Sequence, residues 1–509
     1  MTRLRPPTGH PPPNAFRWIG ALLAWVLVAL GLGARPALAT SPLPPPVQQA
    51  LAAAGIPWES VAVFVQPVTG AGPLLIWNAD APMNPASTMK LVTTLVALEL
   101  LGPAYTWKTE VYVGGPVTQG VLDGPLAIKG YGDPKLTLER LWLLLREVRA
   151  RGVRVIRGDL MLDRTHFALP AGDPGAFDGE PYRPYNVEPD ALLLNFNAVR
   201  VSFVPEPAQG RVRVYAEPHP EGLEIDNRLK LGPGPCRHWE PRFHAAIASD
   251  WTRARIVFEG RYPEDCGERA ESFSVLAHPK LFGDVFRQLW AELGGQLAGG
   301  VREGPVPEGA QLLAVSDSPP LAEIVRDINK FSNNVMARQL LLTLGAHGFG
   351  APATPETAAR AIKAWLFQNR LEFPELVVEN GAGLSRVERI SARHLGELLL
   401  RAWNSPVMPE FVASLPLAGV DGTLKKHMRS NAFSGQAHLK TGYLEGVRAI
   451  AGYVRDRDGR RHVVVCFVNH PNAGRARPVM EALIEWVYEG GEHCCAQPRA
   501  AGTSARVLE

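Results

Sequence analysis

Apolar residues recur along this chain at two spacings, and the places where one gives way to the other outline its elements. Ser60 to Val68 and Pro73 to Trp77 are rich in Val, Leu and Ile, which predicts two strands around the turn Thr69-Gly70-Ala71-Gly72. From Ser87 the period changes. Met89, Val92, Leu95, Val96 and Leu100 fall at helical spacing until Gly102-Pro103 ends the run. Toward the other end, Ala437 to Leu444, Val447 to Val454 and Arg461 to Asn469 read as three more strands. The last two are joined by a turn over Arg455 to Arg460, and Pro478 to Tyr488 reads as a closing helix. If the two ends meet, the two early and three late strands form one antiparallel sheet with helices on its faces, and that domain is discontinuous in sequence.

Between Lys90 and Ser332 the pattern breaks up. Proline and glycine punctuate it, as in Gly130-Tyr131-Gly132-Asp133-Pro134 and Leu231-Gly232-Pro233-Gly234-Pro235. Short strand-like runs such as Arg211 to Tyr215 and Ala254 to Glu259 predict a largely β insertion of two nested modules, with a helix over Lys280 to Leu293 leading out. Two further helical patterns follow, Leu321 to Lys330 and Val335 to Leu344.

Composition narrows the class. Of 509 residues, 46% are hydrophobic and 20% charged, and a formal net charge of +3 without a basic block gives no reason to expect a nucleic-acid partner. Arg3, Arg5 and Arg17 precede the apolar run Ile19 to Leu32, followed by Ala37-Leu38-Ala39, so Met1 to Ala39 reads as a cleaved secretory signal. The run is shorter than the roughly 20 apolar residues of a spanning helix. Left uncleaved, it would tie the chain peripherally to membrane or cell wall. Export permits disulfides, and of the five cysteines Cys236 and Cys266 could pair. Cys466 lies in an apolar run and reads as a small buried hydrophobe, while Cys494 and Cys495 read as part of a tail. No metal-ligand spacing is present, so no metal or other cofactor is expected.

Three polar motifs sit on these elements: Ser87-Thr88-Met89-Lys90 opening the first helix, Ser332-Asn333-Asn334 between two helical patterns, and Lys440-Thr441-Gly442 on a strand. Singly, each has an ordinary structural explanation as a helix cap or a lysine-guarded edge strand. In this order, each in a fitting local setting, they describe a serine acyl-transfer site. One helical turn brings the Lys90 amine to the face of Ser87, where it can act as base once its charged form is destabilised. The helix dipole and a second cation, Lys440, would do that, with burial adding to both. Ser87 is then the nucleophile, Lys90 its base, and Ser332 the relay between Lys90, Lys440 and the leaving group. Asn334 would hydrogen-bond a substrate amide, Lys440 and Thr441 would meet a carboxylate, and Gly442 would let a ligand backbone pair along the strand. The amides of Ser87 and Tyr443 are the candidate oxyanion donors.

The trio is the signature of penicillin-binding proteins and class A β-lactamases. With the large insert directly after the nucleophile helix, the chain resembles the S13 serine peptidases, the D-alanyl-D-alanine carboxypeptidase/endopeptidase family of class C low-molecular-mass penicillin-binding proteins. Tyr131-Gly132-Asp133-Pro134, the run Leu415 to Leu424 and Gly383-Leu384-Ser385-Arg386 add to that resemblance. It implies an α+β fold: a penicillin-binding protein/serine β-lactamase-like transpeptidase domain, with a five-stranded antiparallel sheet flanked by helices and a mainly β insertion forming two further domains. The expected division is 1–39 signal peptide, 40–108 with 312–495 catalytic, 109–138 with 226–311 first inserted domain, 139–225 nested second inserted domain, and 496–509 tail. It also implies periplasmic trimming or opening of peptidoglycan stem peptides through a Ser87 acyl-enzyme, with β-lactams as covalent inhibitors.

Two places depart from the family pattern. Tyr443 stands where Ser or Thr is usual, which weakens the expected grip on a carboxylate. Asn380-Gly381-Ala382-Gly383-Leu384-Ser385-Arg386 replaces a run that begins Asp-Gly-Ser, losing an acid and a hydroxyl, and carries no expected catalytic role. A β-lactamase is the first alternative, but no Glu from 335 to 439 has Asn four residues on, as the class A deacylation apparatus requires. A penicillin-binding sensor or wall-binding scaffold that never turns over is the second, and the complete trio argues against it.

Overall fold

The computed structural model describes residues 42–70, 72–236, 243–429 and 431–491. The expected signal segment 1–39 and the tail cysteines Cys494 and Cys495 lie outside the described residues. Helix α1 (Pro45–Ala54) leads into strands β1 (Val61–Pro67) and β2 (Leu75–Trp77), then helix α2 (Met89–Leu101). After the insert come α3 (Leu321–Phe331), α4 (Asn334–Phe349) and α5 (Ala392–Trp403). Strands β3 (Ala437–Leu444), β4 (Val447–Arg455) and β5 (Arg461–Asn469) and helix α6 (Arg477–Tyr488) close the fold.

The five strands form one sheet in the order β3-β4-β5-β1-β2, antiparallel throughout. The two ends of the described chain therefore do meet, at the β5–β1 pair, where Val61 lies opposite Val468 and Val65 opposite Val464. Side chains on a strand alternate between faces, and this sheet is covered on both. Ala62, Phe64, Val463, Val465 and Phe467 share one core with α2 to α5, and α5 is the helix of these that lies directly on the sheet. Val61, Val63, Val65, Val464, Cys466 and Val468 pack against α1 and α6. That double burial explains why β5 reads as an unbroken apolar run. Cys466 is the free cysteine among the described residues, and burial pushes its thiol up to about 12, where it behaves as a hydrophobe.

Helix α2 is buried almost all round, from Met89 to Leu98. Its sequence pattern marks one apolar stripe, but helices surround it: α3, α4, α5, Pro355–Gln368 and Met408–Ser414 all pack on it. Among the described residues the insert holds three sheets and two long helices, Leu138–Ala150 and His278–Glu292. A six-stranded sheet draws on residues 199–273, and the expected junction at 225/226 falls inside one of its strands, Leu223–Gly232, which pairs along its length with Ala254–Pro263. Cys236 and Cys266 are joined by a disulfide beside this sheet. Among the described residues, no helix is long and apolar enough to cross a membrane.

Close approach of α5 to the sheet depends on Gly396, where a Cβ would lie 2.2 Å from the Phe64 ring. Gly396→Val should therefore destabilise the protein by about 1–3 kcal/mol through overpacking. Thermal unfolding checks this, and an unchanged midpoint would show that the helix can ride away from β1 without cost.

Candidate active site

Ser87 lies in a short 3-10 turn, Ala86–Thr88, that runs straight into α2. The turn is held from both sides. Ala86 takes a left-handed backbone conformation (φ 44°), and its N–H donates to Asn84 Oδ1 at 2.9 Å. Asn84 Nδ2 in turn donates to the Ser385 carbonyl at 2.8 Å, while its backbone N–H and carbonyl are both bonded by the Asn469 side chain, at 2.8 and 3.1 Å. A non-glycine residue at positive φ is strained, and such strain persists only where surrounding bonds over-determine it.

One turn on, Lys90 is fully buried, and its Nζ meets three oxygens: Ser87 Oγ at 3.1 Å, Asn334 Oδ1 at 2.7 Å and the Ala382 carbonyl. The last two can only accept. A neutral amine carries two N–H bonds and one lone pair, so two obligate acceptors take both protons and turn the lone pair toward Ser87 Oγ. Protonation is disfavoured as well. Burial drives the Lys90 pKa well below the usual lysine value, and Lys440 lowers it further. The cation effect anticipated from sequence is therefore present, second to desolvation.

Ser332 caps α3 in a left-handed conformation (φ 57°). Asn333, not its neighbours, caps α4, accepting from the Met336 N–H at 3.1 Å, which leaves Ser332 and Asn334 to face the site. Lys440, also fully buried, donates to Ser332 Oγ at 2.8 Å and to the Thr441 carbonyl at 2.8 Å. Desolvation pushes its pKa down to about 7. Asn334 stands apart from its expected part in one respect: its Oδ1 is occupied by Lys90, and its Nδ2 donates to the Tyr185 carbonyl at 3.2 Å, which fixes the amide's orientation and leaves one N–H for a ligand carbonyl. Tyr185 belongs to the insert. The same segment bonds α4 again where Val187 accepts from Arg338 and where Gln339 pairs with both backbone groups of Asp190.

β3 is the edge strand of the sheet. Its outer side is covered at Ala437 and Leu439, which bond Ala418 and Pro416. By the two-residue alternation of an antiparallel strand, the backbone groups of Thr441 and Tyr443 point to that same outer side. Gly442 is needed for a reason different from the expected one: a Cβ there would lie 2.8 Å from the Pro85 carbonyl and 3.0 Å from the Ser87 nitrogen, so the strand packs directly on the turn that carries Ser87. This contact sets the Ser87 amide beside the strand whose next amide is Tyr443. The Tyr443 side chain is exposed, with the Arg448 guanidinium 4.2 Å above its ring. A hydroxyl near Thr441 comes instead from Thr423, with the two Oγ1 atoms 3.3 Å apart.

The structure thus gathers Ser87, Lys90, Ser332, Asn334, Lys440, Thr441 and Gly442 in one place. Reasoning from sequence missed Asn84, Asn469 and Tyr185, and it gave no role to Thr423 or to the 379–388 loop, although both fall in runs that resemble the family. What ties that loop to the site is Gly383, where a Cβ would lie 1.9 Å from the Ala86 carbonyl. Among the described residues no cluster of His, Cys, Asp or Glu is gathered to hold a metal ion.

Comparison with known proteins gives the same picture. A family model described as "D-Ala-D-Ala carboxypeptidase 3 (S13) family" matches residues 46–489. The D-alanyl-D-alanine carboxypeptidase of Actinomadura sp. (strain R39) is 32% identical, covering 77% of this chain and 74% of its own length. The D-alanyl-D-alanine carboxypeptidase DacB of Haemophilus influenzae is 25% identical over 78% of this chain and 83% of its own. In fold, the chain is similar to the crystal structure of penicillin binding protein 4 (dacB) from H. influenzae, with TM-score 0.72 and 23% identity over 87% of this chain and 99% of that one. The sheet flanked by helices is therefore the penicillin-binding protein/serine β-lactamase-like fold that the motifs implied.

The burial of Lys440 has a consequence for stability. Its folded pKa lies near 7 against an ordinary 10.5, so between these values the unfolded chain binds the extra proton and stability rises with pH. Below about 7 both states are protonated and the cost of the buried cation is complete. Lys440→Met lacks this term. The wild type should therefore gain stability relative to Lys440→Met as pH rises through that window, by at most about 1.4 kcal/mol per pH unit. Urea unfolding at several pH values measures it, and a flat difference would contradict a depressed Lys440.

Proposed function

The chain belongs to the D-Ala-D-Ala carboxypeptidase 3 (S13) family and is a serine-type peptidase, and from that premise we propose that it hydrolyses D-Ala-D-Ala stem peptides or D,D-crosslinks of peptidoglycan through an acyl-enzyme on Ser87. The observation that carries the proposal is the Lys90 amine, turned by Asn334 and Ala382 so that its lone pair meets Ser87 Oγ.

Ser87 Oγ attacks the carbonyl of the penultimate D-Ala as its proton passes to Lys90. The tetrahedral oxyanion lies between the amides of Ser87 and Tyr443. Collapse breaks the peptide bond: the departing amine takes the proton of Ser332 Oγ, which is replaced from Lys90, so that Lys90 is a neutral amine again. Because Lys440 donates to Ser332 Oγ, the hydroxyl keeps its own proton to give. Water then attacks the ester as Lys90 takes its proton, and Lys90 returns that proton to Ser87 Oγ as the acyl bond breaks, which regenerates both groups. A substrate extended along the outer edge of β3 would pair with Thr441 and Tyr443, its carbonyl toward the remaining N–H of Asn334 and its carboxylate near Thr441 and Thr423. A β-lactam follows the first half of this path and stays on Ser87. Cleavage of Met1 to Ala39 as a signal would place the reaction in the periplasm.

Two substitutions test the chemistry. Ser87→Ala should abolish both D-Ala release and the penicillin adduct seen by mass spectrometry, and an adduct on another residue would sink the assignment. Lys90→Ala should fold yet acylate about 10²–10⁴-fold more slowly, as expected for loss of a general base. Undiminished labelling would move that role elsewhere. Incubation with purified crosslinked and uncrosslinked muropeptides, followed by product identification, separates endopeptidase from carboxypeptidase action and both from a silent penicillin binder.

A further inference from the structure

The loop 379–388, to which sequence reasoning gave no role, has its polar groups sorted to two sides. On the α2 side, two successive carbonyls meet two residues one helical turn apart: Gly381 accepts from Thr93 Oγ1 at 2.7 Å and Ala382 accepts from Lys90 Nζ. On the other side, three successive N–H groups, those of Glu379, Asn380 and Gly381, converge on a single oxygen, Glu388 Oε1, at 3.1, 3.0 and 2.9 Å. Glu388 is fully buried, and its second oxygen has no hydrogen-bond partner among the described residues. An acid buried in this way is costly unless its bonds return the cost, and all three of them go to the residues just before Ala382. Asn380 Oδ1 then accepts from the Ala382 N–H at 2.9 Å, and the Ser385 hydroxyl accepts from the Glu388 N–H at 3.0 Å, closing the loop on itself.

We propose that Glu388 is a positioning residue for Lys90: by gathering the 379–381 amides it holds the Ala382 carbonyl on Nζ, and so aims the amine's lone pair at Ser87. The inference rests on the acyl-transfer reading above and extends it to a residue outside the three motifs. Glu388 touches neither Ser87 nor the cleft strand in this arrangement, and it acts through the loop backbone. Of the charges that act on Lys90, Lys440 and Arg338 lower its pKa and Glu388 raises it, while burial raises the pKa of Glu388 itself. Glu379 is the acid adjoining Glu388 itself.

Acylation by a fluorescent penicillin, followed over a range of concentrations, separates the limiting acylation rate from the saturation constant. Glu388→Ala removes the shared acceptor and should lower the limiting rate by about 10²-fold, the scale of a small misplacement of a reacting group. Its saturation constant should stay within about threefold of wild type, because binding along β3 does not pass through this loop. Glu388→Gln keeps one carbonyl oxygen for the three amides and should recover about tenfold or more of the loss. If Glu388→Ala does not fold, Glu388→Asp, which withdraws the acceptor by one methylene, carries the same expectation. Wild-type limiting rates in Glu388→Gln and in the Ala or Asp variant would overturn the proposal. So would equal losses in rate and saturation constant, which would mark a general loosening of the fold. A wild-type protein that penicillin never labels would instead bring down the Ser87 reading on which this one stands.

Discussion

The arrangement of this protein's centre depends on one buried amine. Lys90 Nζ sits among three oxygens, one from the turn that leads into its own helix, one from α4 and one from the 379–388 loop. A lysine removed from water resists protonation, and a neutral amine has only two protons to give. Once both are claimed, its lone pair has one direction left. The catalytic reading of Ser87 follows from that geometry more than from the identity of the serine.

Holding three distant segments on one atom explains much of the surrounding architecture. The five-stranded sheet, covered on both faces, supplies a rigid floor, and its edge strand presses Gly442 against the nucleophile turn. The 379–388 loop closes from the opposite side, with Gly383 against Ala86. Asn334 is itself oriented by the carbonyl of Tyr185, so the inserted part of the chain helps set the amide that holds the base. The insert is therefore coupled to the chemistry through backbone, along a segment that bonds α4 at Asn334, Arg338 and Gln339. Two cations near each other would be unfavourable if both were charged, and desolvation relieves this by lowering both lysines.

Much of this was legible in the chain. The strand Arg461–Asn469 has the bounds that its apolar run predicts, because a strand buried on both faces has little latitude in composition, and the edge strand Ala437–Leu444 also spans the residues expected of it. The three motifs were legible for a related reason: proton transfer needs a particular pair of side chains one helical turn apart, and that spacing is local. Less legible was the purpose of Gly442. From sequence it reads as room for a ligand, whereas the space is taken by Pro85 and Ser87. The junction expected at 225/226 met a continuous ten-residue strand, Leu223–Gly232, whose mostly exposed and half-buried positions give no apolar run to mark its bounds.

By itself, the sequence determined which side chains could perform acyl transfer, the order in which they occur, and the local element that carries each. These depend on neighbours a few positions away, through helical and strand periodicity. Only the tertiary structure decided how the base is aimed. Its acceptors are the Ala382 carbonyl, which belongs to no side chain, and the Asn334 amide, whose orientation is set by the Tyr185 carbonyl. Every residue has a carbonyl, so composition cannot mark the one that matters, and only folding brings it to Lys90.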